Sequence, residues 1–91
     1  MKELIQDIVM ALVDDPSQVR VDEKEEVLKE KNGGSEVKGI IYEIRVGKGE
    51  AGKVIGKEGR IANGIRAIIK GIAGKKHLKA NIDIVNDEGG R

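Results

Sequence analysis

Apolar side chains in this chain fall into three blocks of helical spacing and three of alternating spacing. Leu4, Ile5, Ile8, Val9, Leu12 and Val13 repeat at the intervals of one helix face, which predicts an amphipathic helix over residues 2–14. Asp14-Asp15-Pro16 closes it, because a residue before proline is pushed out of the helical region. Val19 and Val21 then alternate with polar residues, and the charged run Asp22-Glu23-Lys24-Glu25-Glu26 precedes Val27-Leu28. Residues 18–30 read as a polar strand with one face in water and room for a bulge. Asn32-Gly33-Gly34 is a strong turn signal. Beyond it, Ile40, Tyr42, Ile44 and Val46 share one face of a second strand at 36–46, with Val37 and Ile41 on the other, so the two strands form a hairpin.

Gly47-Lys48-Gly49 ends that strand, and residues 50–55 supply about one and a half turns of helix. Gly52 lies inside this short helix at a cost of up to ~1 kcal/mol relative to alanine, which predicts a close approach by another segment. Ile61, Ile65, Ile68, Ile69 and Ile72 mark a longer helix over 60–73, stopped by Gly74, with Asn63, Arg66 and Lys70 on another face. Leu78, Ala80, Ile82 and Ile84 alternate with polar residues in a last strand. The predicted order is α-β-β-α-α-β in a single domain, residues 1–86, with 87–91 as a loose tail.

The two helices around residue 57 are joined by Gly56-Lys57-Glu58-Gly59, within Val54-Ile55-Gly56-Lys57-Glu58-Gly59-Arg60-Ile61-Ala62. With 13 glycines in 91 residues, a bare G-x-x-G would arise by chance. The informative pattern is the aliphatic pair before it, the aliphatic residue after it and the helical spacing on both sides. Main-chain amides ahead of a helix point outward and the helix dipole favours negative charge there, so such a loop suits phosphate, and Lys57 and Arg60 flank it. A helix–turn–helix corner without a ligand is the alternative reading of the same residues.

Charge distribution strengthens the phosphate reading. The net charge is only +1. Residues 1–44 hold 6 basic and 11 acidic side chains, a balance of −5, whereas residues 45–79 hold 10 basic and 2 acidic, a balance of +8. Residues 80–91 carry −2. Positive charge therefore gathers in the segment that bears the glycine loop, as a polyanion site requires.

On these residues the chain resembles the KH domain, a single-stranded nucleic-acid module whose GXXG loop clamps about four backbone nucleotides. The element order is similar to that of type II KH domains: an α+β fold with a three-stranded mixed sheet and three helices on one face. The N-terminal Leu4-Ile5-x-x-Ile8-Val9 helix and the Asp15-Pro16-Ser17-Gln18-Val19-Arg20-Val21 step resemble the small free-standing bacterial members, although residues 22–39 are longer and more charged than is usual there. The resemblance implies RNA binding by Lys53, Ile55, Gly56, Lys57, Glu58, Gly59, Arg60 and Ile61, with Lys48 extending the positive rim, while Ile55, Ile61 and Ile65 stand each beside the groove or in the core. It also implies an RNA chaperone or post-transcriptional regulator that pairs with itself or with a larger KH protein of the Jag type. Two other readings stay open: a protein–protein adaptor built on the Ile-rich helix, and a ribosome-assembly or translation factor.

Several functions are disfavoured. Gly47-Lys48-Gly49-Glu50-Ala51-Gly52 spells G-x-G-x-x-G, but a second glycine loop and helix follow instead of the parallel strand and acidic residue of a dinucleotide fold. Gly47 to Lys53 fits G-x-x-x-x-G-K, yet Val54 stands where a magnesium-binding hydroxyl belongs. His77 is the only histidine and there is no cysteine, so neither a catalytic constellation nor a metal cofactor is expected, and the acids at 22–26 lack the spacing of a calcium loop. The chain has one tyrosine and no Phe or Trp, which fits aliphatic groove walls rather than aromatic stacking platforms. Met1-Lys2-Glu3 leads directly into an acid-bearing helix, unlike a secretory signal, and no apolar run nears the ~20 residues of a membrane span. A cytoplasmic protein without membrane contact is the expectation.

Overall fold

A computed structural model describes residues 1–29 and 36–85. Helix α1 spans Lys2–Leu12, strand β1 Arg20–Lys29, strand β2 Glu36–Arg45, helix α2 Ala51–Ile55, helix α3 Arg60–Lys75 and strand β3 Lys79–Ile84. Short 3₁₀ turns occupy Pro16–Gln18 and Lys57–Gly59. The order is the expected α-β-β-α-α-β. Strands lie in the order β1-β2-β3, with β1 and β2 antiparallel and β2 and β3 parallel. The Asn32-Gly33-Gly34 turn and the 87–91 tail fall outside the described residues.

One face of this mixed sheet is apolar. Register places Val21, Ile44 and Ile84 in one row and Tyr42 and Ile82 in the next, and Ile40 and Ala80 follow. Against them pack Ile5, Val9 and Val13 from the first helix and its end, Val54 from α2, and Ile65, Ile69 and Ala73 from α3, all in one core cluster. Ile5, Val9, Ile44, Val54 and Ile69 are fully enclosed. Among the described side chains of β1, Val21 alone joins this core, because Glu23 and Glu25 sit opposite Tyr42 and Ile40 and stay in water. Its pairing with β2 runs unbroken from Arg20 opposite Arg45 to Lys29 opposite Glu36, so no bulge forms. On the outer face Glu43 pairs across the strands with Lys24 at 3.2 Å and along its own strand with Arg45 at 3.7 Å.

Two boundaries and the role of one glycine differ from the sequence expectation. Helix α1 ends at Leu12, two residues early, because the amides of Asp14 and Asp15 are drawn to the Glu50 carboxylate at 2.5 and 3.3 Å. Helix α3 runs through Gly74 to Lys75, and the left-handed residue that stops it is His77, with φ 59°. Gly52 makes no close approach: a Cβ built there meets nothing within 4 Å.

Candidate nucleic-acid interface

Helix α2 leads into the glycine loop and is anchored at its start. Glu50 precedes it, is 8% exposed and accepts from the Asp14 and Asp15 amides, fixing the end of α1 against the start of α2. Gly47 leaves room for that carboxylate, since a Cβ there would lie 3.1 Å from Glu50 Oε2. Neither role is legible in the sequence, where Glu50 looks like one more surface acid.

The loop turns through three positive φ angles. Gly56 has φ 79° and ends α2 with its amide donating to the Gly52 carbonyl at 2.8 Å. Glu58 (φ 57°) and Gly59 (φ 76°) are consecutive left-handed residues that aim the chain into α3. The Gly59 amide donates to the Gly56 carbonyl at 3.1 Å, and that of Arg60 to Lys57. Among the hydrogen bonds of the described residues, the amides of Lys57 and Glu58 have no acceptor. Both residues are exposed. Two adjacent amides without an acceptor thus stand just before the sixteen-residue helix α3, where the helix dipole favours negative charge.

The two glycines serve different ends. A Cβ on Gly56 would come within 2.6 Å of Ile61 Cγ1, so the Ile61 side chain fills that space. A Cβ on Gly59 would meet nothing closer than Asn63 Nδ2 at 3.7 Å, and there only the left-handed backbone calls for glycine.

The predicted cations separate into two groups. Lys57 and Arg60 are exposed beside the loop, with the Arg60 guanidinium 3.7 Å from the Glu58 carboxylate in a solvated pair. Lys53 is turned back toward α1, where it pairs with Asp14 and lies 3.9 Å from Glu50. Its hydrogen bond to Asp14 raises its pKa above the usual lysine value, outweighing desolvation, and the charges of Asp14 and Glu50 add to the rise. Lys48 is exposed on the turn before α2. Of the aliphatic candidates, Ile65 is core, Ile55 is half-buried, and Ile61 is 37% exposed while closing over Gly56.

Strand β3 is a sheet edge, and α3 lies along it. Arg66, absent from the predicted site, bridges the two: its Nε donates to the Ile82 carbonyl at 3.4 Å and its Nη1 to Asn63 Oδ1 at 3.1 Å. Among the described residues there is no cluster of His, Cys, Asp and Glu fit to hold a metal ion, and no helix is long and apolar enough to cross a membrane.

A βαα unit with a GXXG loop, closed by a parallel strand and preceded by a helix and hairpin partner strand, defines a type II KH domain. The family described as KhpA/KhpB, KH domain, matches residues 2–84, and the chain belongs to it. It is 42% identical over 85 residues to the RNA-binding protein KhpA of Clostridium perfringens, covering 93% of this chain and 100% of the relative. It is 39% identical over 87 residues to the RNA-binding protein KhpA of Chlamydia trachomatis, covering 96% and 99%. Among solved structures, it superposes with a TM-score of 0.60 and 19% identity on Aquifex aeolicus Era bound to GDP·AlF4−. A second match is Era in complex with MgGDPNP and nucleotides 1506–1542 of 16S ribosomal RNA, at TM-score 0.56 and 22% identity. Each covers 94% of this chain but only 31% and 30% of the longer protein, and at these identities the likeness is one of fold.

Proposed function

We propose that the chain binds single-stranded RNA by seating phosphates on the loop from Gly56 to Gly59, and that it acts as an RNA chaperone or post-transcriptional regulator. The observation that carries this reading is the pair of unpaired Lys57 and Glu58 amides at the start of α3, flanked by the Lys57 and Arg60 side chains. The names of the relatives, RNA-binding protein KhpA, support the ligand class and a binding role rather than catalysis. Gly56, Gly59, Lys57 and Arg60 hold the backbone, Ile55 and Ile61 wall the groove, and Lys53 joins when it leaves Asp14. Glu58 contributes its amide while its carboxylate tempers the local charge. Pairing with a second copy or with a larger KH protein of the Jag type extends the bound length of RNA.

Substituting Gly56 would disturb Ile61 and confuse folding with binding. The cleaner variant is Lys57→Asp/Gly59→Asp, because both sites are open and aspartate tolerates a left-handed backbone. Fluorescence anisotropy with a labelled single-stranded RNA is expected to report a loss of about tenfold or more, with circular dichroism unchanged. For two to four neutralised phosphates, log K should fall with log salt at a slope of about −1.4 to −2.8. Undiminished binding by the folded variant would refute the loop as the site.

One observation favours an adaptor role as a second reading. Ile61 and Ile68 on α3 are 37% and 52% exposed, more than a solvated helix face needs. If they form a protein interface, Ile68→Lys abolishes self-association in sedimentation equilibrium and leaves RNA affinity intact.

A further inference from the structure

Three cations border the glycine loop: Lys53 before it, Lys57 within it and Arg60 after it. Two of them already face an acid. Lys53 reaches back from α2 to the Asp14 carboxylate, 39 residues away in the chain. The Arg60 guanidinium lies 3.7 Å from the Glu58 carboxylate, across the turn into α3. Lys57 pairs with no acid among the described residues. A loop read as attracting phosphate thus holds two of the chain's own carboxylates against two of its cations.

Stability does not account for these pairs. Both are exposed, and exposed ion pairs contribute little to folding. The junction between α1 and α2 is fixed instead by Glu50, which is buried and accepts from the Asp14 and Asp15 amides. Those bonds hold the Asp14 main chain in place beside α2. Its carboxylate accepts from Lys53 alone among the described residues, so it can part from that lysine without disturbing the junction. Glu58 stands at φ 57°, a left-handed conformation that glycine adopts without the penalty of a Cβ. An acid kept at a strained position inside an anion loop points to a role in binding rather than in folding.

We propose that Asp14 and Glu58 are internal counter-ions of the RNA site, which phosphates displace from Lys53 and Arg60 on binding. This rests on the loop reading and adds what limits the affinity of that loop. Each incoming phosphate replaces a carboxylate instead of meeting a bare cation, and the displaced carboxylates stay nearby as like charges. Once uncovered, they also draw cations from the salt, which offsets part of the counterion release from the RNA. The hold on RNA is therefore weaker and less salt-dependent than the number of basic residues suggests. Weak binding suits a chaperone, which must release one strand to act on the next.

The test measures binding of a labelled single-stranded RNA of about eight nucleotides, twice what one loop clamps, by fluorescence anisotropy. At about 50 mM salt, where screening is weak, Asp14→Asn/Glu58→Gln should bind about fivefold or more tightly than the parent chain. Its salt slope should be steeper, so that the gain shrinks as salt rises. Glu23→Gln/Glu25→Gln removes the same charge from β1, at the opposite edge of the sheet from β3, and should gain less than about twofold. Coupling within a pair separates displacement from general charge: in a Lys53→Met background, Asp14→Asn should lose most of its gain. Equal gains in the two double variants, a gain that survives Lys53→Met, or no gain at all would overturn the counter-ion role. A lower urea midpoint for Asp14→Asn without tighter binding would also overturn it and make that residue a structural staple. Failure of the loop reading looks different, because Lys57→Asp/Gly59→Asp then binds as the parent does. Both acid substitutions preserve side-chain shape, and circular dichroism confirms the fold of each variant.

Discussion

The side chain of Ile61 occupies the volume that a Cβ on Gly56 would need, with Cγ1 at 2.6 Å and Cβ at 2.9 Å from that point. The loop is therefore held shut from inside by the first turn of α3, and its shape is set before any ligand arrives. Gly56→Ala meets both this overlap and a positive φ, whereas Gly59→Ala meets only the latter. The left-handed backbone costs about 1–2 kcal/mol at each site, and overpacking adds roughly 1–3 kcal/mol at Gly56. Urea unfolding should place Gly56→Ala clearly below Gly59→Ala, and adding Ile61→Ala should recover part of the difference. Equal losses at the two glycines would show that Ile61 yields without cost.

Glu50 is the one buried charged residue among those described, and its two oxygens serve two different amides, those of Asp14 and Asp15. Replacing it with alanine strands both donors in a half-buried junction, and leaving such a group unpaired costs about 1–3 kcal/mol. Glu50→Ala should lower stability by about that amount in urea titration. Glu50→Gln keeps one acceptor oxygen and should lose less. If alanine is tolerated without loss, water serves those amides as well as the carboxylate does.

Most of the fold was legible because aliphatic spacing alone separates its elements. Ile61, Ile65, Ile69 and their neighbours could only be one helix, and Ile40, Tyr42 and Ile44 only one strand face. The loop was legible because its glycines stand between two such helices. What escaped depends on contacts between segments far apart in sequence. Glu50 ends α1 from 35 and 36 residues away, Lys53 is claimed by Asp14, and Arg66 reaches a carbonyl on β3. Local pattern carries no trace of such pairings. Gly52 misled for the opposite reason: a helical glycine suggests a near neighbour, and within this chain it has none.

At the end of α3 the Leu78 amide donates to the Ala73 carbonyl at 2.9 Å and the His77 amide to Gly74 at 3.1 Å. These are the two bonds of a Schellman cap, with His77 in the left-handed position that glycine or asparagine normally takes. His77→Gly should therefore stabilise the domain by about 0.5–1 kcal/mol, since it removes the Cβ penalty at the cost of some unfolded-chain entropy. His77→Asn should give a smaller gain. Lys76→Gly, one residue earlier at φ −99°, offers no such relief and should destabilise or do nothing. Thermal melts of the three variants decide the point, and a loss of stability in His77→Gly would contradict this cap.

Tyr42 is 2% exposed at the centre of the sheet. Its pKa is raised above the usual value of 10.0, chiefly because burial penalises the phenolate and further because Glu23 and Glu3 lie near it. The folded protein thus holds this proton more tightly than the unfolded chain does. The resulting stability is complete below the unfolded pKa and declines as pH rises above about 10, where the unfolded chain releases its proton and the folded one must follow. Lys53 acts in the same direction, because its ion pair with Asp14 is lost when the ammonium deprotonates. Urea midpoints measured from pH 8 to pH 11.5 should therefore be flat at first and then fall. Tyr42→Phe should shallow that fall, and Tyr42→Phe/Lys53→Met should shallow it further. A profile for Tyr42→Phe that parallels the parent protein throughout would mean that the phenol ionises without strain in the folded state.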